Sequence, residues 1–380
     1  MSEWKKVKFL DYIELNPKVL INKGEVCPFI EMANVDCNMR QPRSFEYKPF
    51  TSGVKFQTYD TVIARIEPCL QNGKGFLYSE REAGFGSTEY LIFRAKDGKT
   101  NPLFVYYLMR THEIKTLMCN SMSGATGRQR VNNDVFSNLE ILCPSVDTQK
   151  RIATILSRYD SLIENYQKQI KLLEESAQRL YKEWFIDLRF PGHENTKIVD
   201  GVHEGWEKKT LDSFCNVFTG KKNANQGVSN GKYKFFTCGD TPLLIDSYIY
   251  DGPAIIISGN GSYTGRTTFY EGKFDLYQRT YACSMKDMQD KNLIYGLFEI
   301  VKCELTNKIS GGTHGAAIPY IVMSDVTKFD FIYEENIMQR FSSIMHNILS
   351  ESLSLLNQIR HLTEARDRLL PKLMNGEIEV

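Results

Sequence analysis

Lys150-Arg151-Ile152-Ala153-Thr154-Ile155-Leu156 returns 189 residues later as Gln339-Arg340-Phe341-Ser342-Ser343-Ile344-Met345. The register persists: Gln169-Ile170 meets Gln358-Ile359, Leu173 meets Leu362, Glu175 meets Glu364, and Arg179-Leu180 meets Arg368-Leu369. Upstream, Gly73-Lys74 and Leu77-Tyr78 match Gly265-Arg266 and Phe269-Tyr270 at a shift of 192, and Ser123-Gly124 matches Ser310-Gly311 at 187. Trp4 and Leu10-Asp11 are echoed by Trp206 and Leu211-Asp212. Shifts that differ by a few residues are what loop insertions and deletions leave behind. The chain therefore contains the same unit twice, each time a mixed globular part followed by a long helix.

In the first helix, apolar or small residues recur at Ile152, Leu156, Tyr159, Ile163, Tyr166, Ile170, Leu173, Ala177, Leu180 and Trp184. The steps alternate between four and three, the heptad seam that keeps one stripe facing a partner helix. Adding 189 gives Phe341, Met345, Ile348, Ser352, Leu355, Ile359, Leu362, Arg366, Leu369 and Leu373, imperfect only at Ser352 and Arg366. Ile152, Leu156, Ile163, Ile170, Leu173, Leu180 and Trp184, with Leu355, Ile359, Leu362 and Leu369, are the expected packing residues. Each seam covers about 33 residues, roughly 50 Å of helix. The first is expected to stop before Pro191-Gly192 and the second to bend or stop at Pro371, since proline fits poorly inside a helix.

The globular parts read as alternating strand and short helix. Tyr59 to Ile66, Tyr90 to Phe93, residues 250–257 and residues 280–283 read as strands, and residues 102–118 and 293–301 as helices. Residues 191–205, rich in charge and glycine, read as the linker. A length of 380 residues with 42% hydrophobic content supports two or three packed domains. A formal net charge of +1 gives no global signal for an acidic partner, so any such argument must be local. Nine cysteines without a CxxC pair read as reduced cytosolic thiols, which makes the expected location cytoplasmic. No apolar run is long enough for a membrane span.

Signatures of bond chemistry are missing. There is no GxxxxGK[ST] phosphate loop, no Asn/Asp-Pro-Pro-aromatic motif, no proline-aspartate nuclease motif, and no metal-ligand spacing among the six histidines. Gly259-Asn260-Gly261-Ser262-Tyr263-Thr264-Gly265 misses the dinucleotide pattern by one residue and precedes a strand-like stretch, so it reads as a turn. What remains is local positive charge. Residues 114–133 contain no acid and carry Lys115, Arg128 and Arg130, the last two in a small-residue loop, residues 123–133, with Gln129 and Asn132. Arginine matches guanine edges, and glutamine and asparagine match adenine edges. Residues 213–239 also lack acids and carry Lys221, Lys222, Lys232 and Lys234. Lys74 and its counterpart Arg266 are expected on phosphates, because a cation kept in both copies suits a sequence-blind contact. Arg128 has Gly315-Ala316-Ala317 across the alignment and is the better base reader. Arg40, Arg43 and His314, the last in a glycine-rich loop, complete the candidate DNA contacts.

Gly205-Trp206-Glu207-Lys208-Lys209-Thr210-Leu211, Arg179-Leu180-Tyr181-Lys182-Glu183-Trp184-Phe185-Ile186-Asp187 and above all Arg366-Asp367-Arg368-Leu369-Leu370-Pro371-Lys372-Leu373-Met374-Asn375-Gly376-Glu377-Ile378 carry a resemblance. The chain resembles the specificity subunits of type I restriction–modification systems over essentially its whole length. The resemblance implies an α+β protein: two mixed α/β target-recognition domains (1–146 and 205–333) in tandem repeat. These would be separated by two long antiparallel coiled-coil helices (147–190 and 334–380), with a linker at 191–204. It implies double-stranded DNA as ligand, read as an asymmetric bipartite site. Two methyltransferase subunits and motor-nuclease subunits would be partners, and S-adenosylmethionine, ATP and Mg would be bound in those partners and not here. Two other readings are the recognition part of a single-chain restriction–methyltransferase and a coiled-coil scaffold with no DNA role.

Overall fold

A computed structural model of the chain describes residues 4–125, 127–199, 201–287, 289–309 and 320–380. The chain divides into two compact units, residues 1–168 with 355–380, and residues 169–354. The division cuts both long helices in the middle, so each unit owns half of each.

In the first unit, the opening strand Lys5–Lys8 pairs antiparallel with Glu140–Cys143, the last strand before the long helix. This closes the globular part on itself. Between them lie two four-stranded sheets. One has the order Ile13–Leu15, Tyr90–Ala95, Thr61–Ala64, Gly75–Leu77. The other has the order Glu46–Pro49, Val26–Ile30, Gly84–Gly86, Val54–Phe56. Thr61–Ala64 and the edge strand Gly75–Leu77 are buried at every residue, which is why they do not alternate between apolar and polar. The expected helix over residues 102–118 is two helices, Pro102–Met109 and His112–Asn120. Asn101 starts the first by accepting from Phe104 N–H, and the second begins at the N-cap Thr111.

The second unit repeats this plan. Glu207–Thr210 pairs antiparallel with Asp330–Tyr333, again first strand with last. Its sheet has six strands in the order Cys215–Thr219, Thr280–Met285, Tyr250–Ser258, Thr267–Leu276, Tyr233–Phe236, Leu243–Ile245. One longer helix, Leu293–Ile309, stands where the first unit has two.

The first long helix spans Val146–Tyr181 and runs on through a wider π turn at Lys182–Ile186. The second spans Glu335–Met374 and contains Pro371. Of the expected bend or stop at Pro371, the stop is corrected: the helix continues to Met374. Proline there removes a single helical hydrogen bond within the last turn, and its own carbonyl still accepts from Asn375 N–H at 3.0 Å. In the first unit Ile152, Ala153 and Leu156 share a core with Leu373 and Met374. The start of one helix thus lies with the end of the other. In the second unit Trp184 and Phe185 pack on Phe341, the end of the first helix with the start of the second. Both arrangements are antiparallel.

None of the twenty seam positions is exposed. Ile152, Leu156, Ile163, Trp184 and Leu355 are buried, and Ile170, Leu173, Leu180, Ile359, Leu362 and Leu369 are partly buried. Each fully buried Leu or Ile contributes about 1.5–3 kcal/mol. The opening tryptophans are docked in both units. Gly376, at φ +78°, approaches so closely that a Cβ would lie 2.6 Å from Trp4 Nε1. Trp206 packs on Phe185 and Phe190.

Candidate nucleic-acid interface

The loop singled out around Arg128 is pinned at its base by strand-like bridges. Arg130 pairs with Ser123 and with Ile66, and Gly127 N–H donates to Glu67 at 3.3 Å. Gly124 (φ +122°) and Gly127 (φ +78°) occupy left-handed conformations that a side chain would strain. The base of the loop is therefore held in place, and the exposed Arg128 has no side-chain partner among the described residues. Arg130 differs: its guanidinium grips Glu89 with Nε at 2.9 Å and Nη2 at 2.6 Å, and this hydrogen bonding raises its already high pKa. Asn132 accepts from Asp134 N–H at 3.0 Å and caps a short helical turn. Gln129 is partly buried, and its carbonyl accepts from Glu67 N–H.

Several other candidates are committed within the fold. Arg40 binds Glu164 on the long helix through Nη2 at 2.8 Å and Nε at 3.2 Å, with little exposure on either side. Burial raises the Glu164 carboxyl despite that neighbour, as expected of a pair removed from water. Arg43 pairs with Asp36, its Nε 3.0 Å from Oδ2, while remaining largely exposed. Lys222 is tied to Ser247 and to the fully buried Asp275, 3.2 Å away. Arg266 binds Asp240 at 2.8 Å and lies over the Tyr263 ring. Lys74 donates to the Met32 carbonyl at 2.8 Å. Lys221 is exposed with no side-chain partner among the described residues. His314 lies outside the described residues. Lys222 and Arg266 therefore hold their own unit together first, and Arg40 fastens the globular part to the helix. An intramolecular carboxylate far along the chain is the shared reason.

Sequence reasoning missed Asp160 and Arg110. Asp160, buried on the first long helix, accepts from Arg366 Nη1 at 2.7 Å and from the Tyr107 hydroxyl at 2.5 Å. Burial, then the Asp160 carboxylate, drive the Tyr107 phenol far up, so it stays protonated and donates. The misfit Arg366 of the seam is thus the cation of a buried network. Arg110 stacks on Tyr106 and donates to the Cys37 carbonyl. The only signal for it was a cation four residues after an aromatic in a helical stretch.

All nine cysteines are unpaired and none is exposed. Among the described residues no three His, Cys, Asp or Glu side chains gather as metal ligands, and no helix is long and apolar enough to cross a membrane.

The profile of the type I restriction modification DNA specificity domain matches residues 1–175 and again 203–353. The chain belongs to this family. Its two matches cover the two globular parts, each with part of a long helix. Among curated relatives, the type I restriction enzyme MjaIX specificity subunit of Methanocaldococcus jannaschii is 29% identical over 311 residues, covering 75% of this chain and 71% of that protein. The EcoDI specificity subunit of Escherichia coli is 29% identical over 178 residues, covering 46% of this chain and 38% of that one. The crystal structure of a type I restriction–modification S subunit from M. genitalium shares the fold at a TM-score of 0.64 and 15% identity, over 98% of this chain and 96% of that one. The relatives are specificity subunits by name, and the tandem α/β architecture is that of the family.

Proposed function

We propose that this chain is the DNA-reading subunit of a type I restriction–modification complex. Each globular part reads one half of an asymmetric, interrupted double-stranded site, and the paired helices set the gap. The observation that carries this is the duplication itself: two closed α/β parts, each built from first strand to last and each packed on its own share of both helices. Two reading heads on a spacer suit a bipartite target. Arg128 and Lys221, exposed and without a side-chain partner among the described residues, are the residues ready to meet DNA, and Arg130 joins only by releasing Glu89. The subunit does no bond chemistry itself. Two methyltransferase subunits and a motor-nuclease subunit bring S-adenosylmethionine, ATP and Mg, and the assembly works in the cytoplasm. Co-expression with a methyltransferase subunit, followed by sequencing of methylated adenines, tests the reading. A bipartite motif that appears only when this chain is present supports it. Methyl transfer by the purified chain alone would overturn it.

A further inference from the structure

The first unit holds a cleft of about 380 Å³ between the turn at residues 69–74, the junction of the two short helices, and the last turns of the second long helix. Four cations line it, Lys74, Arg110, Lys115 and Arg366, against one carboxylate, Asp367. Arg366 is spent on Asp160 and Asp367. The other three have no carboxylate partner among the described residues. Lys74 and Arg110 donate to the carbonyls of Met32 and Cys37, which satisfy a donor but cancel no charge. Arg110 Nη1 is buried with no hydrogen-bond partner among the described residues. A Cβ placed on Gly73 would lie 3.8 Å from Lys115 Nζ, which sets that ammonium beside the Gly73-Lys74 turn. The helix His112–Asn120 opens into the same space, and its N-cap Thr111 makes no side-chain cap.

The second unit is an internal control. Lys302 follows Phe298 by four residues and lies over its ring, as Arg110 does with Tyr106. Thr306 faces Gly265 as Lys115 faces Gly73. There the charge is cancelled: Arg266 pairs with Asp240, and Lys302 with Glu174. The frame alone therefore does not require uncompensated cations, and the first unit keeps them in a cleft.

We propose that this cleft binds a phosphate group. One source is the DNA backbone beside the first half-site, which rests on the DNA-reading function above; the other is a free phosphoanion. Lys115 supplies the direct charge-assisted donor, with Lys74 on the adjoining turn and Arg110 adding its charge at the junction of the two short helices.

Calorimetric titration of the full chain with inorganic pyrophosphate, and DNA titrations at several salt concentrations, separate the sources. Lys115→Gln should weaken pyrophosphate binding about tenfold or more, while Lys115→Arg retains it. Lys74→Gln, on a separate element of the cleft, should weaken it as well, which guards against a local folding defect. With a backbone phosphate in the cleft, pyrophosphate competes with DNA, and Lys115→Gln lowers the salt slope by about 1 on cognate and non-cognate DNA alike. With a free phosphoanion, the slope stays and only pyrophosphate binding is lost. No pyrophosphate binding by the wild-type chain, together with an unchanged slope in Lys115→Gln, overturns the proposal. Lys115-dependent pyrophosphate binding in a chain that binds no DNA would instead remove the DNA reading and leave the cleft.

Discussion

Asp160 and Arg366 stand 206 residues apart in sequence and meet at 2.7 Å inside the first unit, with almost no solvent contact. At the same places in the repeat the second unit carries Leu349 and Ala177. Removing one member of a buried pair strands the other, at a cost of about 3–5 kcal/mol. Arg366→Ala should therefore strongly destabilise the chain in urea unfolding. The double change Asp160→Leu with Arg366→Ala, which imports the second unit's residue types, should recover at least about half of that loss, since apolar replacement of a buried pair is often near neutral. A double variant no more stable than Arg366→Ala would show that the network is not an exchangeable element of the repeat. Arg128 has no side-chain partner among the described residues, where its neighbour Arg130 is held by Glu89. Arg128→Ala should cost roughly 1–3 kcal/mol on cognate DNA and much less on non-cognate DNA, read by titration of the assembled methyltransferase. Equal weakening on both DNAs would make Arg128 a phosphate contact. Little of this pairing was legible in the sequence. An acid-free stretch reads as open charge, yet Lys222 finds Asp275 from outside its stretch, and Arg266 finds Asp240 across 26 residues of sequence. Tertiary partners decide which cations are free, and spacing does not encode them.

The long helices were legible because a heptad seam is a local pattern with a single geometric consequence. Every seam position from Ile152 to Trp184 and from Phe341 to Leu373 avoids full exposure. Three residues departed from the pattern. Ser352 and Arg366 looked like flaws but are buried, the serine donating to the Ile348 carbonyl at 2.9 Å and the arginine to Asp160. Pro371 looked like a terminator, but it falls within one turn of the helix end, where few hydrogen bonds remain to lose. The break between Pro102–Met109 and His112–Asn120 is missed when the helix is judged on the apolar run from Leu103 to Met109, although the polar Arg110-Thr111-His112-Glu113 marks it. At this scale the spacer makes its own prediction. Seven residues inserted into both helices, after Lys168 and after Ser354, add two turns, about 10.5 Å, and preserve the heptad register. The recognised half-sites should stay the same and the gap between them should widen by about three base pairs at ~3.4 Å each. Methylation mapping that shows altered half-site bases with an unchanged gap would contradict the spacer role.

The duplication governs the whole molecule. Each globular part has its own closed core and its own first-to-last strand pair, Lys5–Lys8 with Glu140–Cys143 and Glu207–Thr210 with Asp330–Tyr333. Parts with separate cores are expected to read DNA separately. The two also differ inside, two four-stranded sheets in one and a six-stranded sheet in the other, which is why sequence matching between them was weak away from the helices. The most direct measurement is to map methylated adenines genome-wide in cells carrying the methyltransferase subunit with either this chain or a hybrid. In the hybrid, residues 213–328 are replaced by the matching part of a related subunit. The account predicts a bipartite motif in both cases, with one half replaced in the hybrid and the other half and the gap kept. A hybrid that folds and assembles but changes both halves, or a native chain that yields no bipartite motif, would contradict it.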